Sequence, residues 1–320
     1  MPTSPAATGP RALLAWLNQR PALLLILTTL IWGSNAVAAR LAVGHVSPMM
    51  LTTARWSVAC IALWLVARRQ VVAYWPALRP RWRYLVLMGT CGYTAFNALF
   101  YAAAHHTSAV NLALIQGVIP VLVMLGGMFF LRLRFTALQL LGVAVTLAGV
   151  AVVASRGQWA VLATLDFNMG DVWILLASLL YAGYTLGLRN RPAVPPLVLF
   201  AALAAVAAVV SLPLLAAEVL AGRFFWPSAQ GWLIIVYVGL MPSFVSQISF
   251  MRGVELIGPA RASVFVNLNP VFGPALAVLL LGEPLLWYHL AALVMVLGGI
   301  WVAERLGQPR RATPGTAQAK

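Results

Sequence analysis

Apolar residues along this chain come in unbroken runs of about twenty, separated by short segments rich in Arg, Pro and Gly. A helix of that length crosses roughly 30 Å of hydrocarbon, the core of a bilayer. The runs predict spans near 21–43, 48–67, 84–103, 107–130, 135–154, 170–188, 196–219, 231–251, 260–281 and 286–303. A membrane barrel would alternate apolar and polar positions, and these runs do not.

The pattern repeats at an offset of 150 residues. Residues 111–120 (NLALIQGVIP) align with residues 261–270 (RASVFVNLNP), both ending on proline, and Gly89, Asn97 and Phe100 meet Gly239, Gln247 and Phe250. Near the start of each half Trp32-Gly33-Ser34-Asn35 matches Tyr181-Ala182-Gly183-Tyr184, with the offset slipping to 149. Five spans per half is an odd number, which forces the second copy to insert upside down relative to the first. The expected fold is an all-α membrane protein with ten transmembrane helices in two inverted five-helix repeats, 21–154 and 170–304. Residues 1–20 form a cytoplasmic lead, 155–169 an outer linker and 305–320 a disordered cytoplasmic tail. Duplicated carriers of this kind hold their substrate between the copies.

Composition agrees: 62% of residues are hydrophobic and 8% charged, with a mean hydropathy of +0.91. The net charge of +15 would suggest nucleic acid, but its distribution argues for topology instead. With the N-terminus in the cytoplasm, sixteen of the 21 basic residues, from Arg11 to Lys320, fall inside, while only Arg156 and Arg223 lie in outer loops. Asp166, Asp171, Glu218 and Glu283 lean to the outer side. Both termini are thus expected in the cytoplasm. The expected partners are a small-molecule substrate and the lipid bilayer, with a monomer sufficient and no nucleic acid. No soluble segment is large enough for an enzyme or nucleotide site, and no Gly-x-x-x-x-Gly-Lys run exists, so the chain is not expected to be an enzyme or to bind a cofactor. Cys60 and Cys91 sit inside spans as small apolar fillers, and His105 and His106 lack the further ligands that a metal site would need.

Polar groups near the bilayer midplane cost free energy unless paired or facing water. They fall on the first, third and fourth spans and on their repeat mates: Trp32 and Asn35; Tyr93, Asn97 and Tyr101 at helical spacing; Asn111 and Gln116; Tyr181 and Tyr184; Ser243 and Gln247; Ser263, Asn267 and Asn269. Any one of them could be glue between helices, contributing around 0.6 kcal/mol. Matched between repeats, the set outlines a cavity wall. The candidate substrate contacts are Trp32, Asn35, Tyr93, Asn97, Gln116, Tyr181, Tyr184, Gln247 and Asn267, with Pro120 and Pro270 as paired mid-helix hinges. Arg55 lies one or two turns inside the outer end of the second span, its role left open between gate and structural residue; Arg40 and Arg189 could snorkel, and Arg261 has Glu255 nearby for an ion pair. No Asp, Glu or Lys lies at a midplane, which suits a neutral or zwitterionic solute with an apolar part and disfavours coupling through a buried acid.

Ile31-Trp32-Gly33-Ser34-Asn35, the paired proline helices and Leu281-Gly282-Glu283-Pro284 resemble the EamA family of the drug/metabolite transporter superfamily, over about residues 21–304. The resemblance implies a ten-helix inverted-repeat carrier in a bacterial inner membrane, commonly exporting amino acids or other metabolites. One departure stands out: where the family often carries a first Gly-Glu, this chain reads Arg132-Leu133, and only Gly282-Glu283 is present. Glu283 is therefore read as structural, an acid capping the helix that follows it. A lipophilic-cation exporter would want a glutamate in the first span, where Ala36, Val37 and Ala38 stand. A non-transporting scaffold or regulator would tolerate changes at Asn97 and Gln247.

Overall fold

The computed structural model describes residues 16–133, 136–158, 160–161 and 167–303; most of the predicted lead, part of the linker and the tail lie outside them. The described residues are helical, with no strand. The first half supplies α1 (Pro21–Leu41), α2 (Pro48–Leu78), α3 (Trp82–Gly89), α4 (Phe96–Ala103), α5 (Ala109–Gln116), α6 (Ile119–Leu131) and α7 (Ala137–Ala154). The second supplies α8 (Met169–Gly187), α9 (Pro196–Leu220), α10 (Ala229–Leu240), α11 (Ser246–Ile257), α12 (Pro259–Val266), α13 (Asn269–Leu281) and α14 (Trp287–Trp301). Each helix thus has its mate seven labels later. A π-helical turn joins α3 to α4 over Thr90–Ala95 and recurs between α10 and α11 over Met241–Val245.

Eight helical runs are long and apolar enough to cross a membrane, and Trp287–Trp301 is apolar but shorter. The count differs from ten partly because Pro48–Ala103 is one helical run of 56 residues. It holds far more residues than one crossing of roughly 30 Å needs, and it doubles back, since α2 packs against α4. The loop expected at 68–83 is helix: α2 runs through Pro76, and a 3-10 turn over Arg79–Arg81 hands it to α3. A span ends where charge begins, but a helix ends only where its hydrogen bonds fail, and Arg68 to Ala73 holds no breaker.

The packing exchanges elements between halves. α1 lies against α11 and α13, and its mate α8 lies against α4 and α6. Two pairs of mates meet directly, α2 with α9 and α7 with α14. Glycine permits the second crossing, since a Cβ on Gly142 would strike Gly299 O and lie 2.6 Å from Ala303 N. α5 is buried on every side from Ala109 to Ile115, as expected of a helix apolar all round its circumference. Its mate α12 is not: Arg261, Ser263 and Val264 are exposed. The repeats match in sequence, yet their environments differ.

Candidate functional site

The interruptions in the helices meet around one cavity. Between α5 and α6 the chain stays right-handed, but Gly117 and Val118 donate to carbonyls three residues back, Leu114 and Ile115, both at 3.0 Å. Leu268 does the same toward Phe265 between α12 and α13. Pro120 and Pro270 therefore do not sit in mid-helix, as the sequence suggests, but in the first turn of the helix that restarts. A proline has no N–H to donate and its ring crowds the carbonyl four residues back, so the helix breaks just before it and resumes where that N–H has no partner to lose.

All nine residues expected from the sequence line this cavity, together with Pro120 and Pro270, around about 1000 Å³ of space with its open mouth included. One wall is aromatic. Tyr93 meets Trp56 at 4.7 Å and Tyr184 at 5.4 Å between ring centroids, and the two tyrosine hydroxyls are 3.1 Å apart. Tyr181 packs on Phe96 at 5.1 Å, and Trp32 is tilted against Phe250 at 5.3 Å. The predicted stripe of Tyr93, Asn97 and Tyr101 splits. The π turn displaces its first member, and Tyr101 stands behind the wall instead of in it.

The amides are only partly satisfied. Gln116 Nε2 donates to Leu112 O at 2.9 Å, and Asn97 Nδ2 donates to Tyr93 O at 2.6 Å. Three buried atoms among the lining residues have no partner: Asn97 Oδ1, Asn269 Oδ1 and the indole Nε1 of Trp56. An orphaned polar atom typically costs about 1–3 kcal/mol, and such atoms mark places where a ligand or water completes the bonding.

Arg55 is the residue whose importance the sequence understates. It is 6% exposed and lines the cavity. Its Nε donates to Ser243 Oγ at 2.6 Å, and its Nη1 to Tyr101 Oη at 2.6 Å and Asn35 Oδ1 at 3.2 Å. The rings of Trp56 and Tyr101 flank the guanidinium at 5.3 and 5.8 Å. No carboxylate lines the cavity. The available signal was an ionisable residue inside an apolar run, a functional marker by default in a membrane. Its nearness to the helix end hid it. The expected Arg261–Glu255 pair is replaced, because Glu255 pairs with Arg252, one turn away on its own helix, at 2.7 Å.

Three acids tie the two halves together. Glu218 accepts from Ser47 Oγ at 2.6 Å, Met49 N at 3.2 Å and Met50 N at 3.3 Å. Glu283 accepts from Ala109 N and Val110 N. It thus caps α5 of the other half and not the helix that follows it, because the turn at Gly282 carries the carboxylate toward the free N–H groups of α5. Asp171 accepts from Thr107 Oγ1 and, at 3.3 Å, from Asn111 Nδ2. Asn111 Oδ1 lies 3.2 Å from His289 Nε2, while His289 Nδ1 accepts the N–H of Leu286, so the imidazole is assigned as the neutral Nε2–H form. All three acids belong to the second half and all accept from the first. Outside the spans, His105 is held below the ordinary histidine range, first by burial and then by His106 and Arg40. Arg40, exposed at the end of α1, donates to Ala104 O at 2.8 Å.

Comparison with known proteins agrees with this architecture. The uncharacterized transporter YyaM of Bacillus subtilis (strain 168) is 25% identical over 281 residues, covering 85% of this chain and 89% of that protein. A protein of Streptantibioticus cattleyicolor named "Probable terminal-alkyne amino-acid exporter" is 29% identical over 303 residues, covering 91% and 96%. The uncharacterized inner membrane transporter YedA of Escherichia coli (strain K12) is 27% identical over 278 residues, covering 84% and 86%. A solved crystal structure shares the fold with a TM-score of 0.64 at 20% identity, covering 90% of this chain and 99% of the other. The model of the EamA-like transporter family matches twice, at residues 19–155 and 168–304. With a two-repeat helical fold, several membrane-crossing helices and this match over most of its length, the chain is a multi-pass membrane protein that belongs to the EamA-like transporter family.

Proposed function

We propose that this chain is a secondary transporter or facilitator that exports neutral or zwitterionic amino acids across a bacterial inner membrane by alternating access. In this reading the helices form ten crossings, with Pro48–Ala103 supplying two, and the two five-helix repeats insert in opposite senses with both termini in the cytoplasm. One chain is sufficient. Amides bind the polar end of the solute and aromatic faces its apolar body, while the restarts at Pro120 and Pro270 act as hinges.

The observation that carries the reading is the unequal burial of repeat mates. α5 is buried from Ala109 to Ile115, while α12 exposes Arg261, Ser263 and Val264. Two sequence-matched helices in opposite environments are what one state of an alternating carrier requires, since exchange of those environments moves access from one side to the other. The positive-inside distribution favours an outer position for the three acids, which in this reading seal that face in a state that loads from the cytoplasm. The relative named "Probable terminal-alkyne amino-acid exporter" supports the substrate class.

The test is efflux of labelled amino acids from proteoliposomes, comparing intact protein with Asn97→Ala and Gln247→Ala. Saturable efflux of one class, lost in both folded variants, is the expected result. Efflux that neither substitution alters removes the site. Absence of amino-acid flux removes the substrate class and turns the search to other metabolites and drugs.

A further inference from the structure

Arg55 carries a full charge into the cavity without an acid to balance it. Among the described residues the one ion pair is Arg252–Glu255, on a different helix. The three groups that accept from the Arg55 side chain, Ser243, Tyr101 and Asn35, are all neutral. They occupy Nε and Nη1, and Nη2 makes no hydrogen bond. A guanidinium cannot shed its proton to escape burial, as a lysine can. Trp56, the next residue, lines the same cavity at 2% exposure, and its indole N–H has no acceptor. Two adjacent residues therefore offer unfilled donors, one of them charged.

The charge is also single and one-sided. At the repeat offset of 149 to 150 the place of Arg55 in the second repeat falls on Ala204 or Ala205, neither of them charged. The unfilled acceptors, Asn97 Oδ1 and Asn269 Oδ1, come one from each repeat. A cavity with one cationic donor edge and separate neutral acceptors fits a ligand bearing one anionic group and one N–H donor.

We propose that Arg55 is the anion-recognition residue of the central cavity and holds a single carboxylate of the transported solute, with the Trp56 N–H as second donor and the amide oxygens of Asn97 and Asn269 receiving the amino group. Arginine pairs with carboxylates through short charge-assisted bonds. A phosphate dianion would bring a second charge that no second lining cation balances. This inference rests on the cavity being the transport site, and it assigns the carboxylate of the proposed amino-acid substrate to Arg55.

The experiment measures binding to the full-length protein in detergent, by shift of the melting midpoint and by tryptophan fluorescence. The probes are L-phenylalanine, L-phenylalaninamide and 3-phenylpropionate, whose shared ring suits the aromatic wall. The amide is expected to bind about 10- to 100-fold more weakly than the amino acid, the range for losing a hydrogen bond to a charged group. Arg55→Gln should make acid and amide equal, and Arg55→Lys should keep part of the preference. Should Arg55→Gln not fold, the ratio in the unaltered protein decides alone. Equal binding of phenylalanine and its amide overturns the carboxylate role and leaves the amino-acid reading standing. Phenylpropionate binding as tightly as phenylalanine keeps the carboxylate role and removes the amino-acid reading. Binding of none of the three to folded protein overturns both.

Discussion

The carboxylate of Glu283 accepts the backbone N–H of Ala109 at 2.9 Å, across 174 residues of chain and from one repeat to the other. Its second oxygen takes the N–H of Val110 at 3.0 Å. Both donors are at the free N-terminus of a fully buried helix, where nothing else can satisfy them. Glu283→Ala should therefore destabilise the protein by about 1–3 kcal/mol for each stranded donor, and Glu283→Gln, which keeps one acceptor oxygen, by clearly less. Thermal unfolding in detergent reads both. Equal melting of the alanine variant and the parent would show that the cap contributes nothing.

Asp171 and Glu218 belong with Glu283 to the proposed outer seal, each bonded to the opposite half. Replacing them by Asn and Gln together should weaken the closed end and raise the population opened toward it. A cysteine placed at Asn35, in a background lacking Cys60 and Cys91, should then react several-fold faster with an impermeant thiol reagent added from that side; a shift of about 1.4 kcal/mol in the equilibrium gives tenfold. An unchanged rate would mean that other contacts hold the seal.

Neighbouring glycines on α14 should respond oppositely. A Cβ on Gly299 would meet Gly142 O at 2.6 Å and Thr146 N at 2.7 Å, whereas one on Gly298 meets nothing within 4 Å. Gly299→Ala should cost about 1–3 kcal/mol by forcing α7 and α14 apart. Gly298→Ala should be neutral or gain up to about 1 kcal/mol from helix propensity. Melting midpoints that move together for the two variants would contradict the crossing.

His105 provides the pH dependence. Burial, then His106 and Arg40, depress its proton affinity in the folded chain. The unfolded chain then binds the proton first, so stability is fully present above the ordinary histidine value of about 6.5 and falls as pH drops toward the depressed value. His105→Gln should lose less stability than the parent between pH 7.5 and 5.5. Parallel melting curves for the two proteins across that interval would assign the acid sensitivity elsewhere.

How much could be read along the chain differs from feature to feature. Asn97 and Gln247 were legible as a pair because the repeat places them at equivalent positions, and both do line the cavity. Arg55 was visible as a charge in an apolar run, but its place beside Ser243, 188 residues away, was not. The π turns went unread, although Gly92 and Pro242 stand inside Thr90–Ala95 and Met241–Val245 and are poor helix formers. Pro120 announced an interruption, and only the backbone showed that the break precedes it.

By itself the sequence determined the helical class, the duplication and the set of polar positions facing the centre. These follow from run length and periodicity, which any chain carries locally because the bilayer requires backbone bonds to be made within each segment. The tertiary structure decided which acid caps which helix, which polar atoms remain unpaired, and why α5 is buried while α12 is exposed. Those outcomes depend on side chains that meet across more than 150 residues, and no local pattern encodes the partner at the far end.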